Sequence, residues 1–354
     1  MHAGRRDALR KLGLLGVAGC LPLPFSATPL RQDPAGMVMT VTGPIDPADL
    51  GFCLPHEHVL SRFGSEPADP PAYDEDDAAD RVVPYLRYLR DLGVAAIADC
   101  TTYNFGRDAA LLARLARESE LHLITNTGFY GAADDRYLPA AALTQTADEI
   151  AAGWIREFED GIGTTGVRPG FVKTAVDPGP ISEVDAKLVR AAALTHRATG
   201  LPLAIHTGNN VPAAAQQRTI LEGEGVSLAA WTWTHAQEVP DPEPLLEAAA
   251  AGAWISLDGI KTPYYQNGQL TGQSTLDRHL DHLLRLREAG LLDRVLLSHD
   301  GSTYPPAPAG PRPMDFLSNT FLPLLRAAGL SEEEVTGLTV GNPARYFTLR
   351  KQLL

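Results

Sequence analysis

The chain has little cysteine, little lysine and, beyond its first 30 residues, no long apolar run. Its 354 residues include three cysteines, which are too few for a disulfide framework, and no CxxC pair occurs. The formal net charge of −13 argues against a nucleic-acid partner, because phosphate binding depends on basic surface. With 44% hydrophobic and 21% charged residues, the composition is typical of a soluble globular protein.

Two of the cysteines, Cys53 and Cys100, lie inside apolar, strand-like runs. Unpaired cysteine packs as a small hydrophobic residue, so the sequence predicts two buried free thiols. A bridge between them stays open as an alternative in an oxidising compartment.

The first 30 residues differ from the rest of the chain. Arg5 and Arg6 begin a basic stretch, and the short apolar run LGLLGVAGCLPLPF follows. This pattern predicts an export leader over residues 1–30 and not a membrane span. RRDALRK resembles a twin-arginine signal, and VAGC resembles a lipobox, in which Cys20 would carry lipid; cleavage near Ala27 is the alternative. We therefore expect an exported protein, either periplasmic or anchored to a membrane through Cys20.

After the leader, residues 36–354 read as one domain in which short β-rich runs alternate with longer amphipathic segments. The predicted strands are 51–56, 94–100, 121–127, 170–176, 201–206, 228–235, 253–258 and 294–299. Parallel strands need crossover helices, and eight such units close a ring, so the pattern predicts an α/β fold, a (β/α)8 TIM barrel. An open doubly wound sheet is the alternative, but no glycine-rich phosphate loop follows the first strand.

Six side chains that can bind metal or exchange protons occur where apolar runs end. They are His56, His58, Lys173, His206, His235 and Asp300. A barrel gathers the carboxyl ends of its strands at one face, so this placement predicts a single binuclear metal site there. Two imidazoles at i and i+2 share one side of an extended chain and can hold one metal ion. We expect His206 and His235 to hold the second ion.

Lys173 is unusual because the chain has only five lysines among its 30 basic residues. It alone lies within an apolar strand pattern, where an unpaired ammonium is costly or loses its proton. A neutral amine can take up CO₂, and the resulting carbamate can bridge two metal ions. A lysine paired with a carboxylate, or one acting as a general acid, remains an alternative.

Asp300 ends the eighth predicted strand and is suited to bind the first metal ion and to accept a proton from metal-bound water. A hydroxide that bridges two cations is a strong nucleophile at neutral pH, because the metals lower the pKa of water. The neighbouring His299 alternates to the other side of the strand, so we expect it in the core. The residues thus predict metal-dependent hydrolysis.

Several segments of the chain match a known family. They are GFCLPHEHVL, DCTTYNFGRD, TNTGFYG, GFVKTAV, RAAALTHRATGLPLAIHTG, WISLDG, VLLSHDGS and GLTVGNPARYF. From Thr40 to Phe347 the chain resembles the phosphotriesterase family of the amidohydrolase superfamily. The resemblance implies a binuclear centre, usually zinc, held by the six residues named above with Lys173 carboxylated. Members of the family are commonly dimers, so it also implies a homodimer, which no residue pattern addresses.

Two positions bear on the substrate. Tyr130, in TGFYG, stands where lactonase members carry a catalytic-site tyrosine beside the metals, whereas organophosphate-hydrolysing members carry tryptophan. After the seventh strand this chain reads LDGIK, which departs from the family's LDRYG and LDHIP patterns. We expect an open pocket wall at Gly259, with substrate contacts from Lys261, Tyr264 or Tyr265.

The predicted function is therefore hydrolysis of a lactone, a carboxylic ester or a phosphotriester, and the small-molecule substrate is the expected partner. Two alternatives come from other classes: a non-catalytic barrel that binds metal or ligand, and a lyase that uses Lys173 as a Schiff-base nucleophile. The complete ligand set argues against the first alternative. Zinc is the expected metal, although such ligands also accept cobalt, manganese or iron.

Overall fold

The computed structural model describes residues 34–67, 71, 73–261, 264–266, 269–271, 273–305 and 312–354. Residues Pro34–Leu354 form one compact unit. The predicted leader, including Arg5, Arg6 and Cys20, lies outside the described residues. Within the described ranges, no helix combines the length and the apolar character that crossing a membrane requires.

Fourteen strands are present in the described part of the chain. They are β1 (Val38–Thr40), β2 (Gly43–Ile45), β3 (Cys53–Leu60), β4 (Ala96–Asp99), β5 (His122–Ile124), β6 (Asn126–Thr127), β7 (Phe171–Ala175), β8 (Leu203–His206), β9 (Trp231–Thr234), β10 (Trp254–Leu257), β11 (Tyr264–Gln266), β12 (Gln269–Thr271), β13 (Val295–Leu297) and β14 (Ser302–Tyr304). All eight predicted strands are confirmed, in β3, β4, β5 with β6, β7, β8, β9, β10 and β13.

Ten of the strands form two parallel sheets in the orders β14-β3-β4-β5 and β13-β10-β9-β8-β7-β6, and β1 with β2 and β11 with β12 form two antiparallel pairs. Only Thr125 separates β5 from β6. At the other junction the backbone N–H of Asp300 donates to His56 O at 3.2 Å, and that of His58 donates to Gly301 O at 2.9 Å. This parallel order, with helices between the strands, is that of a (β/α)8 barrel, as predicted.

Eleven α-helices connect the strands or follow them in the described ranges. They are α1 (Glu75–Asp91), α2 (Ala109–Ser119), α3 (Ala140–Thr144), α4 (Ala147–Asp160), α5 (Glu183–Thr199), α6 (Val211–Gly223), α7 (Glu243–Ala250), α8 (Gln273–Glu288), α9 (Leu322–Ala327), α10 (Glu332–Thr336) and α11 (Asn342–Phe347). Side-chain caps mark several of their ends. In α4, for example, Thr146 and Glu149 form a capping box, which satisfies backbone N–H groups that a helix start leaves unpaired.

The apolar faces of the helices pack on the outside of the strands in one large buried cluster. A second cluster contains alternate strand residues, including Cys53 and Cys100, together with Tyr346 and Phe347 of α11. Both cysteines are buried free thiols, as predicted, and burial raises the pKa of each thiol.

The first barrel strand is longer than the sequence indicates. β3 continues to Leu60, so His56 and His58 lie within the strand and not at its end. The pairing of β3 with β4 shifts register between Leu54 and Glu57. Pro55, which has no N–H to donate to a ladder, lies in this irregular stretch. His56 and His58 are two residues apart in the strand and share one side of it, with ring centroids 5.9 Å apart.

Candidate metal centre

The structure brings the four predicted histidine ligands together at the carboxyl ends of the strands. The ring centroids of His56 and His58 are 5.9 Å apart, and those of His56 and His235 are 5.0 Å apart. His206 joins them through His235, with 4.4 Å between the ring centroids. Residues far apart in the sequence therefore line one small volume.

Asp300 lies against two of these imidazoles. Its Oδ1 atom is 3.2 Å from Nε2 of His58 and 3.7 Å from Nε2 of His56. These three residues each offer a ligand atom within 4.8 Å of the other two, so together they could hold one metal ion. The side chain of Asp300 is 27% exposed, which opens this part of the cluster to the mouth of the barrel.

Lys173 is buried in β7, with Nζ 3.2 Å from Nε2 of His56. Among the residues that the structure describes, no aspartate or glutamate forms an ion pair with it. In the described part of the chain, Lys173 therefore contacts a histidine and has no carboxylate partner.

Asp258 was not predicted as part of the site, yet it orients two of the histidines. Its Oδ2 is 2.8 Å from Nδ1 of His56, and its Oδ1 is 2.7 Å from Nδ1 of His235. A carboxylate only accepts hydrogen bonds, so each Nδ1 donates to Asp258, and Nε2 is left as the nitrogen that could bind a metal ion. Ser256 donates a further hydrogen bond to Asp258 at 2.7 Å.

His58 is oriented in the same way by a hydroxyl group. Its Nδ1 lies 2.8 Å from Thr101 Oγ1, and that hydroxyl donates its own hydrogen to Leu60 O. Thr101 must therefore accept from Nδ1, so Nε2 of His58 is the nitrogen that faces Asp300. In three imidazoles Nδ1 is thus occupied and Nε2 is the nitrogen through which a divalent metal ion could be bound, so the residues present fit a metal centre.

The electrostatics of the cluster favour neutral imidazole at two positions. Burial, reinforced by the nearby Lys173, lowers the pKa of His56 to about 4. Burial also holds the pKa of His206 well below its usual value, with a further contribution from His235. Because metal ligands must be unprotonated, both residues are prepared for binding at neutral pH.

His235 and Asp258 shift each other's pKa, each favouring the charged form of the other. Burial alone would lower the pKa of His235, but the charge and hydrogen bond of Asp258 outweigh burial and raise it. Burial would likewise raise the pKa of Asp258, yet His235 and His56 hold it well below its usual range. Contacts with His58 have the same effect on the pKa of Asp300, against the effect of burial. Both carboxyl groups are therefore ionised.

Two of the predicted ligands have strained backbones. His235 and Asp300 have φ values of 59° and 53°, in the left-handed region that non-glycine residues rarely adopt. The N–H of His235 donates to both carboxylate oxygens of Asp258 at 3.1 Å, which helps to hold this conformation. Backbone strain of this kind costs energy, so it persists only where the surrounding structure maintains it. It is common at functional sites.

Glu57 and His299 are buried next to the cluster and are hydrogen-bonded to each other. Glu57 faces away from the site and accepts hydrogen bonds from Ser298, from His299 and from the N–H of Gly301. The ring of His299 donates to Glu57 at 2.7 Å through Nδ1 and accepts from the N–H of Leu317 at 2.9 Å through Nε2. Its predicted place in the core is confirmed.

Four side chains, Phe63, Phe105, Tyr130 and Tyr137, form an aromatic wall at the mouth of the site. Their ring centroids lie 5.1 to 6.3 Å from one another. The predicted catalytic-site residue Tyr130 belongs to this wall, and its hydroxyl is 3.5 Å from Nδ1 of His206. Tyr130 therefore lies beside the cluster, as the resemblance implies.

The expectation of an open wall at Gly259 is wrong. A Cβ atom at this position would lie 2.6 Å from Nε2 of Gln237. That side chain fills the space and bonds Asp258, accepting from its N–H at 3.1 Å and donating to Oδ1 at 3.3 Å. Lys261 is exposed, whereas the side chains of Tyr264 and Tyr265 lie outside the described atoms.

Arg312 is a second residue that sequence reasoning missed. Its Nη1 atom lies 2.9 Å from Oδ2 of Asp300, and its side chain is 46% exposed. It follows a proline-rich stretch with no periodic pattern, so no sequence signal identified it. Asp258 and Thr101, by contrast, come directly or shortly after strand ends, the same signal that identified the ligands.

The parallel barrel and the histidine and aspartate groups at its strand ends define a class of metal-binding barrel proteins. A model of the phosphotriesterase family matches residues 36–347. The chain belongs to the phosphotriesterase family. It is thus a hydrolase of a family that depends on divalent metal, and the His56, His58 and Asp300 group is suited to bind one ion.

Individual relatives span nearly the whole chain. The phosphotriesterase homology protein of Mycobacterium tuberculosis is 30% identical over 323 residues, covering 87% of this chain and 96% of the relative. The aryldialkylphosphatase of Saccharolobus solfataricus is 28% identical, covering 86% and 97%. Human N-acetyltaurine hydrolase is 25% identical, covering 89% and 99%.

A solved structure supports the same fold. It comes from work on the molecular engineering of organophosphate hydrolysis activity from a weak promiscuous lactonase template. Its TM-score is 0.76 at 30% sequence identity, and the match covers 88% of this chain and 99% of that one.

Proposed function

We propose that this protein hydrolyses an ester-type bond with two divalent cations, most simply zinc, held by His56, His58, Lys173, His206, His235 and Asp300. The observation that carries the proposal is the orientation of the imidazoles. Asp258 and Thr101 accept from the Nδ1 atoms of three histidines, so that Nε2 is left in each as the nitrogen that would bind a cation. The Nε2 atoms of His58 and His56 lie 3.2 and 3.7 Å from Oδ1 of Asp300, close enough for one cation to be held among them.

Lys173 would complete the ligand set as a carbamate. Its buried Nζ lies 3.2 Å from His56 Nε2, where a neutral amine could react with CO₂. The reaction forms an N–C bond and releases one proton, and it converts the side chain into an anion with two oxygen ligands. This anion would offset the positive charge of the cations.

Cations held here would supply an acidified water as the nucleophile and would polarise the carbonyl or phosphoryl oxygen under attack. Asp300 has the position and charge to accept the proton of that water at a carboxylate oxygen. Its exposed fraction of 27% lets substrate approach from the mouth. The aromatic wall would limit the entry of bulk water on the opposite side.

The ester class is a finer proposal. Tyr130 beside His206 favours lactones or carboxylic esters over phosphotriesters, following the resemblance to lactonase members. The solved neighbour came from a promiscuous lactonase, and one relative is named as an aryldialkylphosphatase. We therefore propose a carboxylic ester or lactone as the main substrate, with phosphotriester hydrolysis as a weaker activity.

A substrate panel tests this proposal. Metal-loaded protein without its first 30 residues is assayed with lactones, aryl esters and phosphotriesters, beside a His206→Asn variant. We expect turnover of lactones or esters by the wild type and a strong loss in the variant. The absence of any metal-dependent turnover across the panel would contradict the proposed function.

We also propose that the protein is exported, because residues 1–30 resemble a twin-arginine leader with a lipobox at Cys20. Fractionation of cells that produce the full chain tests this. Replacing Arg5 and Arg6 by lysine should retain the protein in the cytoplasm, and Cys20→Ser should move a lipid-anchored protein to the soluble periplasmic fraction. Equal distribution of the wild type and the arginine variant would contradict export by this route.

A further inference from the structure

Two chemically different groups flank the predicted ligands. The first is the aromatic wall, with ring centroids 5.4 Å apart for Phe105 and His58 and 5.5 Å apart for Tyr130 and His206. Its most exposed member, Phe63, is 54% exposed. Exposed aromatic surface beside a reactive site is available to pack against an apolar part of a ligand.

The second group is the positively charged side chain of Arg312, beside Asp300. Arg312 uses Nη1 to bind Oδ2 of Asp300 at 2.9 Å, while the other oxygen of Asp300 faces His58. Within the described part of the chain, Nε and Nη2 of Arg312 form no hydrogen bond. A guanidinium has five N–H donors in a planar fork, so most of its donors remain available beside the cluster.

The position of Arg312 is fixed by backbone pairing with a strand of the site. Its backbone pairs with Ser302 in both directions, at 2.8 and 3.3 Å, and Ser302 is paired in turn with His58. This approach requires glycine at position 301, because a Cβ there would lie 2.8 Å from Arg312 O and 2.9 Å from Oε2 of Glu57. The arginine is therefore held at the mouth by the same strands that hold a predicted ligand.

The positive charge of Arg312 has the opposite sign to the net charge of the protein. A net charge of −13 repels anions at long range. A guanidinium with available donors next to the reactive cluster counters that repulsion locally, and it matches a carboxylate or a similar oxyanion with two parallel hydrogen bonds.

We propose, on the basis of the hydrolase function above, that the substrate carries a small oxyanionic group, such as a carboxylate, which Arg312 binds. The apolar part of the same substrate packs against Phe63 and the rest of the aromatic wall. The bond to be cleaved then lies between these two anchors, beside Asp300. Arg312 is a specificity-determining residue for an anionic ester.

Matched esters test the proposal. The substrates are 4-nitrophenyl hydrogen adipate and 4-nitrophenyl hexanoate, which have equal chain lengths and differ in the terminal carboxylate. In metal-loaded wild type, kcat/KM should be higher for the adipate. Arg312→Ala should lower kcat/KM for the adipate by roughly tenfold to a hundredfold relative to the hexanoate, mainly through KM, as expected for one charge-assisted contact. The kcat/KM of Arg312→Lys for the adipate should lie between the values of the wild type and Arg312→Ala.

Arg218→Ala is the matched control. Arg218 is 49% exposed and binds Glu222 at 2.9 Å, much as Arg312 binds Asp300, but it lies on the surface of α6. This variant should leave both esters unaffected. Equal losses for the two esters in Arg312→Ala would show that Arg312 only supports Asp300, and would overturn the proposal.

Calorimetry separates this proposal from the hydrolase function. 6-Oxoheptanoate and 2-heptanone have a ketone in place of the ester, so neither is hydrolysed. The wild type should bind 6-oxoheptanoate more tightly, and Arg312→Ala should abolish the difference. Failure to hydrolyse either ester would contradict the hydrolase function alone, whereas equal binding of the two ketones by the wild type would overturn the role of Arg312.

Discussion

The predicted ligands and the mouth above them differ in how firmly their side chains are held. His56, His58 and His235 are buried, and the Nδ1 atom of each lies 2.7 to 2.8 Å from a buried oxygen. At the mouth, Phe63 and Arg312 are 54% and 46% exposed. The buried contacts determine where the chemistry takes place, whereas the exposed groups are free to determine which substrate enters.

This difference has an energetic basis. Changing a buried ligand or its orienting carboxylate leaves polar groups without partners, which is costly in a water-free environment. Changing an exposed side chain at the mouth costs the fold little. Substrate preference can therefore vary within this fold while the metal centre stays the same.

The largest effect is expected from Lys173→Ala. If Lys173 is a ligand, as proposed, its loss should release metal and lower kcat/KM by roughly a thousandfold or more, since activation of water depends on the cations. Short carboxylic acids should restore part of the activity by taking the place of the carbamate. Steady-state kinetics with and without added propionate measure this. Full activity in the variant would mean that Lys173 is not a ligand.

Replacing Asp258 tests whether orientation of the histidines matters as much as their presence. Asp258→Asn retains the shape of the side chain but cannot accept from both Nδ1 atoms through charged oxygens. Zinc affinity, measured by competition with a chelator, should fall by about 10- to 100-fold, as is usual when the partner of a metal-bound histidine is removed. The exposed Asp281→Asn is the control. Unchanged affinity would show that His56 and His235 need no buried carboxylate.

Asp185, at the start of α5, tests the rule that buried carboxylates need partners. Burial raises the pKa of Asp185 to about 6 from an ordinary value of 3.8, and no hydrogen bond to its Oδ1 is made in the described structure. The folded state therefore binds more protons than the unfolded state between about pH 4 and pH 6, so this group loses stabilising effect as the pH rises through that window.

Asp185→Asn should accordingly raise the free energy of unfolding at pH 8 by about 1 to 3 kcal/mol more than it does at pH 4. Urea unfolding at the two pH values measures this difference, again beside Asp281→Asn. An effect of the substitution that is the same at both pH values would contradict the raised pKa.

The smallest effect on activity is expected from a substitution at Gly259, between the predicted ligands and the mouth of the site. Gly259→Ala places a Cβ atom 2.6 Å from Nε2 of Gln237, which must turn away from Asp258. We expect a loss in kcat/KM of less than about tenfold, because one neutral hydrogen bond is weakened. In a Gln237→Ala background the same change should cost less, and a double-mutant cycle reports this coupling. Additive losses in kcat/KM would show that the effect of Gly259→Ala on the site does not act through Gln237.

Much of the fold, and the grouping of the candidate site residues, could be predicted from the sequence, because both depend on local patterns. Each barrel strand is a short apolar run, and His206 and Asp300 are polar residues at or just after such runs. β3 continues beyond the predicted end at residue 56, because its last residues pair with β14, which is distant in the sequence.

The supporting contacts could not be predicted, because they join distant parts of the chain. Nothing near Asp258 indicates that its two oxygens reach His56 and His235. The packing of Gln237 over Gly259 likewise depends on how the segments after β9 and β10 approach each other. The place of Arg312 depends on its pairing with Ser302, across a proline-rich segment without regular pattern.

Metal analysis of the purified protein tests the central claim most directly. After loading with zinc and removal of excess metal, wild-type protein should retain two zinc ions per chain. Mass spectrometry under native conditions should show the added mass of one CO₂, absent from Lys173→Ala. Protein that retains no zinc, and whose Lys173 carries no carboxyl group, would contradict the binuclear centre.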